Sequence, residues 1–167
     1  AGVKMSYAVE PEPLDTAGAI GFAARHAEID ERFLVVNGDI LTDIDITAQW
    51  NRHEELGAEA TIALTPVEDP SRYGVVPLDA DDRVIEFVEK PDPGTAPTNW
   101  INAGLYVLEP SIIDRIPEGV RVSVERETFP AIVADRALAG FNDDAYWLDA
   151  GTPQSYLQAV TDLMDGV

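Results

Sequence analysis

The sequence predicts an α/β fold in three layers, a mixed and mainly parallel sheet with helices on both faces. Three observations carry that prediction. Segments with strand patterning alternate with segments of helical periodicity along the chain. The run Phe33 to Val36 is continuously apolar and rich in β-branched residues, as a strand buried on both faces requires. The 167 residues, 46% of them hydrophobic, suit a single domain with a sizeable core and show no repeat, linker or low-complexity stretch.

The elements follow in order. Met5 to Val9 reads as a short strand. Thr16 to Ala27 reads as a helix with small residues and an apolar face. The strand Phe33 to Val36 ends in Asn37-Gly38-Asp39. Asp45 or Thr47 suits the cap of a helix to about Leu56, which Gly57 ends. Glu59 to Val67 alternates as a strand does. Tyr73 to Pro77 and Arg83 to Val88 form two strands joined by the turn at residues 79–82. Residues 91–97 are a loop. Ile101 to Leu108 is a strand, and Pro110 starts a short helix. Val124 to Leu138 is helical, interrupted or offset by Pro130. Ala145 to Leu148 is a strand. Pro153 to Met164 is a last helix, with proline at a permitted early position.

Composition removes several functions. Eleven basic residues face 31 acidic ones, a net charge of −20, so nucleic-acid backbones and anionic lipid are repelled. No apolar stretch is long enough to span a bilayer and no leader opens the chain, which predicts a cytoplasmic protein. There is no cysteine, and His26 and His53 lack metal-ligand spacing, so zinc and thiolate chemistry are disfavoured. No nucleophile-elbow motif is present. Only Lys4 and Lys90 are lysines, and the acidic residues are dispersed rather than gathered in a tail. This pattern suits a protein kept soluble in high salt, and an ordinary acidic protein is the alternative.

Several positions point to chemistry. Asp39 follows a strand end, where open α/β sheets bind ligands. Its carboxylate suits magnesium, and Asn37-Gly38 equally suits a plain turn. Asp149 repeats the arrangement after Tyr146-Trp147-Leu148 and could share one magnesium ion with Asp39. Its alternative is to cap the last helix. Lys90 at a strand end suits a phosphate and Glu89 a sugar hydroxyl, unless both are merely an exposed charge pair. Asn102 offers donor and acceptor, and Gly104 inside a strand marks a close approach. Tyr73-Gly74 reads the same way, with local packing as the alternative for both. Thr16, Ala17 and Gly18 open the first helix, where free N–H groups and small side chains could admit a nucleotide. An ordinary capped start is the alternative.

In their order, the segments 12–19 (EPLDTAGA), 37–39 (NGD), 73–76 (YGVV), 88–91 (VEKP), 102–107 (NAGLYV), 123–130 (SVERETFP) and 147–153 (WLDAGTP) resemble the sugar-1-phosphate nucleotidyltransferase family. The mannose-1-phosphate guanylyltransferase branch is the most similar. The resemblance covers nearly the whole chain and implies a Rossmann-like fold. It implies that Asp39 and Asp149 hold Mg2+ and that Lys90 contacts the sugar phosphate. It further implies that Glu89, Asn102 and the Gly74 backbone bind the sugar, and that residues 16–18 lie near the nucleotide. The implied substrates are a nucleoside triphosphate and a sugar 1-phosphate.

Two departures accompany it. Asp15 stands where the family has glycine. The family's Gly-rich loop has no match, so about 80 residues, with the first strand–helix unit, are expected to be missing by comparison with typical domains. The β-helix that follows the catalytic domain in some relatives is not expected either. An incomplete sheet would expose an open edge and favour a homo-oligomer. A sugar-phosphate-binding or regulatory module without turnover is the competing expectation.

Overall fold

The structure is a computed structural model that describes residues 2–166. Its main sheet has six strands. Strand β1 is Phe33–Val36, β3 is Ala60–Pro66, β4 is Gly74–Val75, β5 is Val88–Glu89, β6 is Trp100–Leu108 and β7 is Leu138–Asn142. Strand β6 is antiparallel to both β1 and β3, and β3 is parallel to β7. Strands β1, β3 and β7 therefore run one way. The reversed β6 lies between β1 and β3, so β3–β7 is the one parallel pair among the described residues. The mixed sheet is as expected, but its pairing is mostly antiparallel for this reason. A separate ribbon pairs β2, Ile40–Thr42, with β8, Trp147–Asp149.

Burial on both faces explains the apolar run of β3, whereas β1, expected to be buried likewise, is half-buried with Val36 exposed, because it pairs on one side only, with β6. Along β3, Ala60, Ile62 and Leu64 enter the larger core, with residues of helices α1 (Asp15–His26), α3 (Ser111–Arg115) and α4 (Phe129–Ala134). The alternate residue Ala63 packs on the other face with Ile44, Ala103 and Leu105. Helix α2, Ile46–Leu56, covers that second face, its Gln49 amide donating to Thr61 and Leu105 carbonyls of β3 and β6. The layers are thus helix, sheet, helix. Helix α5, Pro153–Asp165, follows β8. Among the described residues, no helix is long and apolar enough to cross a membrane.

Local signals account for most boundaries. The Asp45 side chain accepts from the Ala48 N–H, and left-handed Gly57 ends α2, as expected. Thr152 and Ser155 form a capping box at α5. Several expectations fail. The strand expected over Arg83 to Val88 shrinks to β5, Val88–Glu89, because Arg83 and Val84 make only isolated bridges, to Ala139 and Leu78. Residues 5–9 form no strand. Val3, Met5, Tyr7 and Val9 are all exposed, and an alternating segment without a ladder partner gains nothing. The helix expected to reach Leu138 stops at Ala134, because Arg136 takes φ 55° and turns the chain into β7. A non-glycine residue there leaves no punctuation to read. Residues 124–128 form a wide π-type turn ahead of α4, with Pro130 inside its first turn.

One polar cluster is buried at the far end of the sheet. His53 is fully buried, its Nδ1 2.8 Å from Thr61 Oγ1 and its Nε2 3.2 Å from Glu109 Oε1. Glu109 also binds Arg32 at 2.7 Å, and Arg32 lies over the Trp50 ring. Burial holds the imidazole's pKa below its ordinary value despite the pull of Glu109. The neutral ring then donates from Nε2 to the carboxylate and accepts at Nδ1 from the Thr61 hydroxyl.

Candidate functional site

The β2–β8 ribbon brings two distant carboxylates together. Ile40 pairs with Asp149, and the Ala150 N–H donates to the Asp39 carbonyl at 2.8 Å. The Gly151 N–H donates to Asp149 Oδ1 at 2.8 Å. A methyl group on Gly151 would stand 2.9 Å from Asp149 Oδ1 and 3.3 Å from Asp39 Oδ2. Both carboxylates therefore border one small space that a side chain at 151 would fill. Two carboxylates with open sides fit magnesium, which takes one or two protein carboxylates and keeps waters and substrate phosphates as its other ligands. No group of three potential metal-binding side chains occurs among the described residues.

The ribbon is tied to the sheet at a bulge in β6. Pairing with β3 slips between Ile62–Tyr106 and Leu64–Asn102, and Gly104 takes φ 77° there. The Gly104 carbonyl accepts from the Asn37 N–H at 2.9 Å, and the Asn37 side chain lies where a Cβ on Gly104 would stand. Trp147 Nε1 donates to the Ala103 carbonyl at 2.9 Å. Its ring meets the Tyr73 ring edge-on at 5.8 Å. Asn102 Oδ1 accepts from the Gly104 N–H, and its Nδ2 donates to the Tyr106 hydroxyl at 2.9 Å. Burial raises the Tyr106 pKa, so that hydroxyl keeps its proton. The Asn102 amide is thereby oriented, with one donor and one acceptor position left for a ligand.

A cavity of about 290 Å³ opens beside Asn102. Gly74 pairs with Glu89 on its floor, where a Cβ on Gly74 would strike the Phe87 ring. Lys90 takes φ 45°, a costly conformation for lysine, and its N–H donates to the Tyr73 carbonyl. Its Nζ stands 3.5 Å from Glu89 Oε1. Glu125, also in the lining, accepts from the hydroxyls of Thr16 and Ser123, both at 3.0 Å. Arg72 and Arg126 complete the lining with Asp15. Two further cavities adjoin. One of about 740 Å³ shares Arg72 and Tyr73 and reaches Asp149 and the start of α5. Another, of about 530 Å³, shares Thr16 and runs between α1 and β1 to Asn37 and Gly38.

The structure gathers Gly74, Glu89, Lys90, Asn102 and Thr16 around one cavity, and sets Asp39 against Asp149 close by. Gly104 shapes the bulge and does not line the cavity. The reading of residues 16–18 as a cradle of free N–H groups needs correction. The Ala17 and Gly18 N–H groups both donate to the Val122 carbonyl, at 3.0 and 3.2 Å. A Cβ on Gly18 would meet Leu14 and the Val120 carbonyl. The small residues serve close packing against the 120–122 segment. Sequence reasoning missed Glu125, Arg72 and Arg126. Scarcity of positive charge, weighed for all eleven basic residues rather than for lysine alone, is the signal that finds the two arginines.

A model of the family described as nucleotidyl transferase matches residues 1–166. The chain belongs to the nucleotidyl transferase family. This nucleotidyl transferase chain is 43% identical over 168 residues to the mannose-1-phosphate guanylyltransferase of Mycobacterium tuberculosis, covering 99% of this chain and 46% of that protein. It is 39% identical over 160 residues to the mannose-1-phosphate guanylyltransferase catalytic subunit beta of Dictyostelium discoideum, covering 95% of this chain and 44% of that protein. Among solved structures it is similar to HddC from Yersinia pseudotuberculosis, in a crystal structure complexed with GMP-PN. That match has 32% identity and a TM-score of 0.73, and covers 92% of this chain and 64% of that one. The chain thus spans less than half the length of these curated relatives.

Proposed function

We propose that this chain supplies the sugar-phosphate and metal sites of an enzyme that joins a nucleotide to a sugar 1-phosphate, with a GDP-hexose such as GDP-mannose as product. One observation carries the reading. In a chain of charge −20, three of the eleven basic residues, Arg72, Lys90 and Arg126, line one small cavity with Glu89, Glu125 and an oriented Asn102. Cations for a phosphate beside acceptors for hydroxyls describe a phosphorylated sugar. The names of the relatives support mannose and guanine as its partners in the reaction.

In this reading a phosphate oxygen of the sugar 1-phosphate attacks the α-phosphorus of the nucleoside triphosphate. The bond to the β-phosphate's bridging oxygen breaks, and pyrophosphate leaves with that electron pair. The protein contributes position and charge, with no covalent intermediate. Asn102, Glu89 and Glu125 hold the hydroxyls, and Lys90 and the arginines hold the phosphate. Asp39 and Asp149 would hold Mg2+, which neutralises phosphate charge when bound. The open edge of β1 and the adjoining groove would accept the further strand–helix unit that handles the triphosphate, or a second copy of the chain. The acidic surface fits a salt-rich cytoplasm, with stability against urea rising between 0.1 and 2 M KCl as the test.

Calorimetry with mannose 1-phosphate, with and without MgCl2, tests the site. Binding strengthened by magnesium is expected. Lys90→Ala should weaken it at least ~10-fold, the scale of one lost charge-assisted contact. Asp149→Asn should abolish the magnesium effect and keep the magnesium-free binding. If no sugar phosphate binds, or if Asp149→Asn retains the full magnesium effect, the proposal fails. Pyrophosphate release from GTP with mannose 1-phosphate and MgCl2 then separates an enzyme from a binding module.

A further inference from the structure

Asp15 is the first residue of α1 and takes φ 64°, a conformation that glycine adopts freely and other residues rarely do. Its neighbours hold it there. The Val122 N–H donates to the Leu14 carbonyl just before it, and the N–H groups of Ala17 and Gly18 just after it are tied to Val122 as well. One carboxylate oxygen, Oδ1, accepts from the Thr16 N–H at 2.8 Å. The other, Oδ2, faces two guanidinium groups, 3.5 Å from Arg121 Nε and 3.9 Å from Arg126 Nη2. These contacts are longer than the 2.7–2.9 Å of a tight charge-assisted hydrogen bond. Asp15 is mostly shielded and both arginines are largely exposed. The pair is therefore loose and exchangeable. Asp15 and Arg126 both line the cavity read as the sugar-phosphate site, as does Lys90.

From this arrangement we infer that Asp15 is an internal counter-anion that competes with the ligand's phosphate for Arg126 and so sets the affinity of the pocket. The inference rests on the reading of this cavity as a sugar-phosphate site. An incoming phosphate must displace the carboxylate from the guanidinium and then stand near it as a like charge. Both effects oppose binding, and both weaken as salt screens them. The left-handed backbone fits this role. Asp15 brings a carboxylate into the wall of the cavity at a conformational cost that glycine would avoid, and strain of this kind gathers at functional sites. The acidic residue thus tempers the charge of Arg126 and of Arg121 beside it.

Asp15→Asn isolates the charge. Asparagine tolerates the left-handed conformation, keeps the size, and its side-chain oxygen can still accept from the Thr16 N–H. Calorimetry would compare parent and variant with mannose 1-phosphate, and with inorganic phosphate as a probe of the anion site alone, at 0.1 and 1 M KCl. The variant is expected to bind both about 3- to 10-fold more tightly at 0.1 M, the scale of one screened like-charge repulsion, and the two proteins should converge at 1 M. Asp15→Gly adds a readout that needs no ligand, since relief of the backbone should raise its melting temperature. Equal affinities at 0.1 M overturn the inference. So does weaker binding by Asp15→Asn, which would make Asp15 a positioning residue for Arg126. A parent chain that binds no sugar phosphate while Asp15→Asn gains inorganic phosphate would sink the sugar reading and leave the counter-anion standing.

Discussion

Replacing Gly104 with alanine tests how the β6 bulge holds the site. Gly104 sits at φ 77°, where an L-residue pays about 1–2 kcal/mol. Its new methyl group would stand 2.8 Å from Asn37 Nδ2 and 3.1 Å from Asn37 Cγ. Asn37 is exposed, so its amide can swing into solvent, while its Cβ, 3.2 Å from the new methyl group, need give by only a few tenths of an ångström. Backbone strain therefore dominates, and a loss of about 1–2 kcal/mol is expected. In a chain of this size each kcal/mol moves the melting temperature by about 2–4 °C. Urea unfolding measures the loss directly, with an unchanged slope if the native fold survives. Gly104→Asn should cost less, because asparagine tolerates left-handed φ, while it crowds Asn37 more. Magnesium-dependent binding should weaken in both variants, since the Asn37 N–H anchors the turn to Asp39 through the Gly104 carbonyl. A stable Gly104→Ala protein, within about 0.5 kcal/mol of the parent, would refute the reasoning, because surface changes stay in that range.

Two further outcomes follow from buried groups. Phe129 is fully buried, edge-on to Tyr106 at 5.3 Å and tilted against Phe87 at 6.1 Å. Phe129→Ala should cost about 3–5 kcal/mol in urea unfolding, and less than about 1.5 kcal/mol would mean that the core closes over the gap. His53 is neutral in the fold because burial lowers its pKa, whereas in the unfolded chain it protonates near 6.5. The unfolded state therefore binds more protons below that value, and stability should fall as pH drops below about 6.5. His53→Gln should be less stable at pH 7.5 but flatter between pH 6.5 and 5. A parent protein with constant stability across that window would contradict the network. Protonation of Glu109, whose partly buried carboxyl is desolvated yet held below the usual range by Arg32 and His53, acts at lower pH.

The sequence exposed most of the fold through local signals. The apolar run at 33–36, the Asp45 cap with Gly57, and Pro153 at the head of α5 all mark real boundaries. What it hid depends on partners distant in the chain. Residues 40–42 are too short to show a period and become a strand only by pairing with β8. The helix expected as far as Leu138 overruns its end, and the strand Leu138–Asn142 goes unread, because the left-handed stop at 136 is an arginine. The segment 5–9 carries a strand pattern with no ladder to join. At the site, Lys90 with its neighbour Glu89, Asn102 and the two strand-end aspartates stood out by chemistry. Glu125 and Arg126 did not, because the wide turn at 124–128 that aims Glu125 into the cavity has no signature of its own.

The ribbon that joins Asp39 to Asp149 has a kinetic consequence. One carboxylate follows the first strand of the sheet and the other precedes the last helix, so their meeting closes one of the longest loops in the chain. Closing such a loop is slow and costs chain entropy until the contacts at its ends form. The sheet of β3, β6 and β7 needs no residue beyond Asn142 and can assemble first. Metal affinity should therefore emerge last during refolding, after most of the sheet's signal has returned. A cation bound by both aspartates would act as a clasp on the finished chain, slowing the release of its final strand and helix.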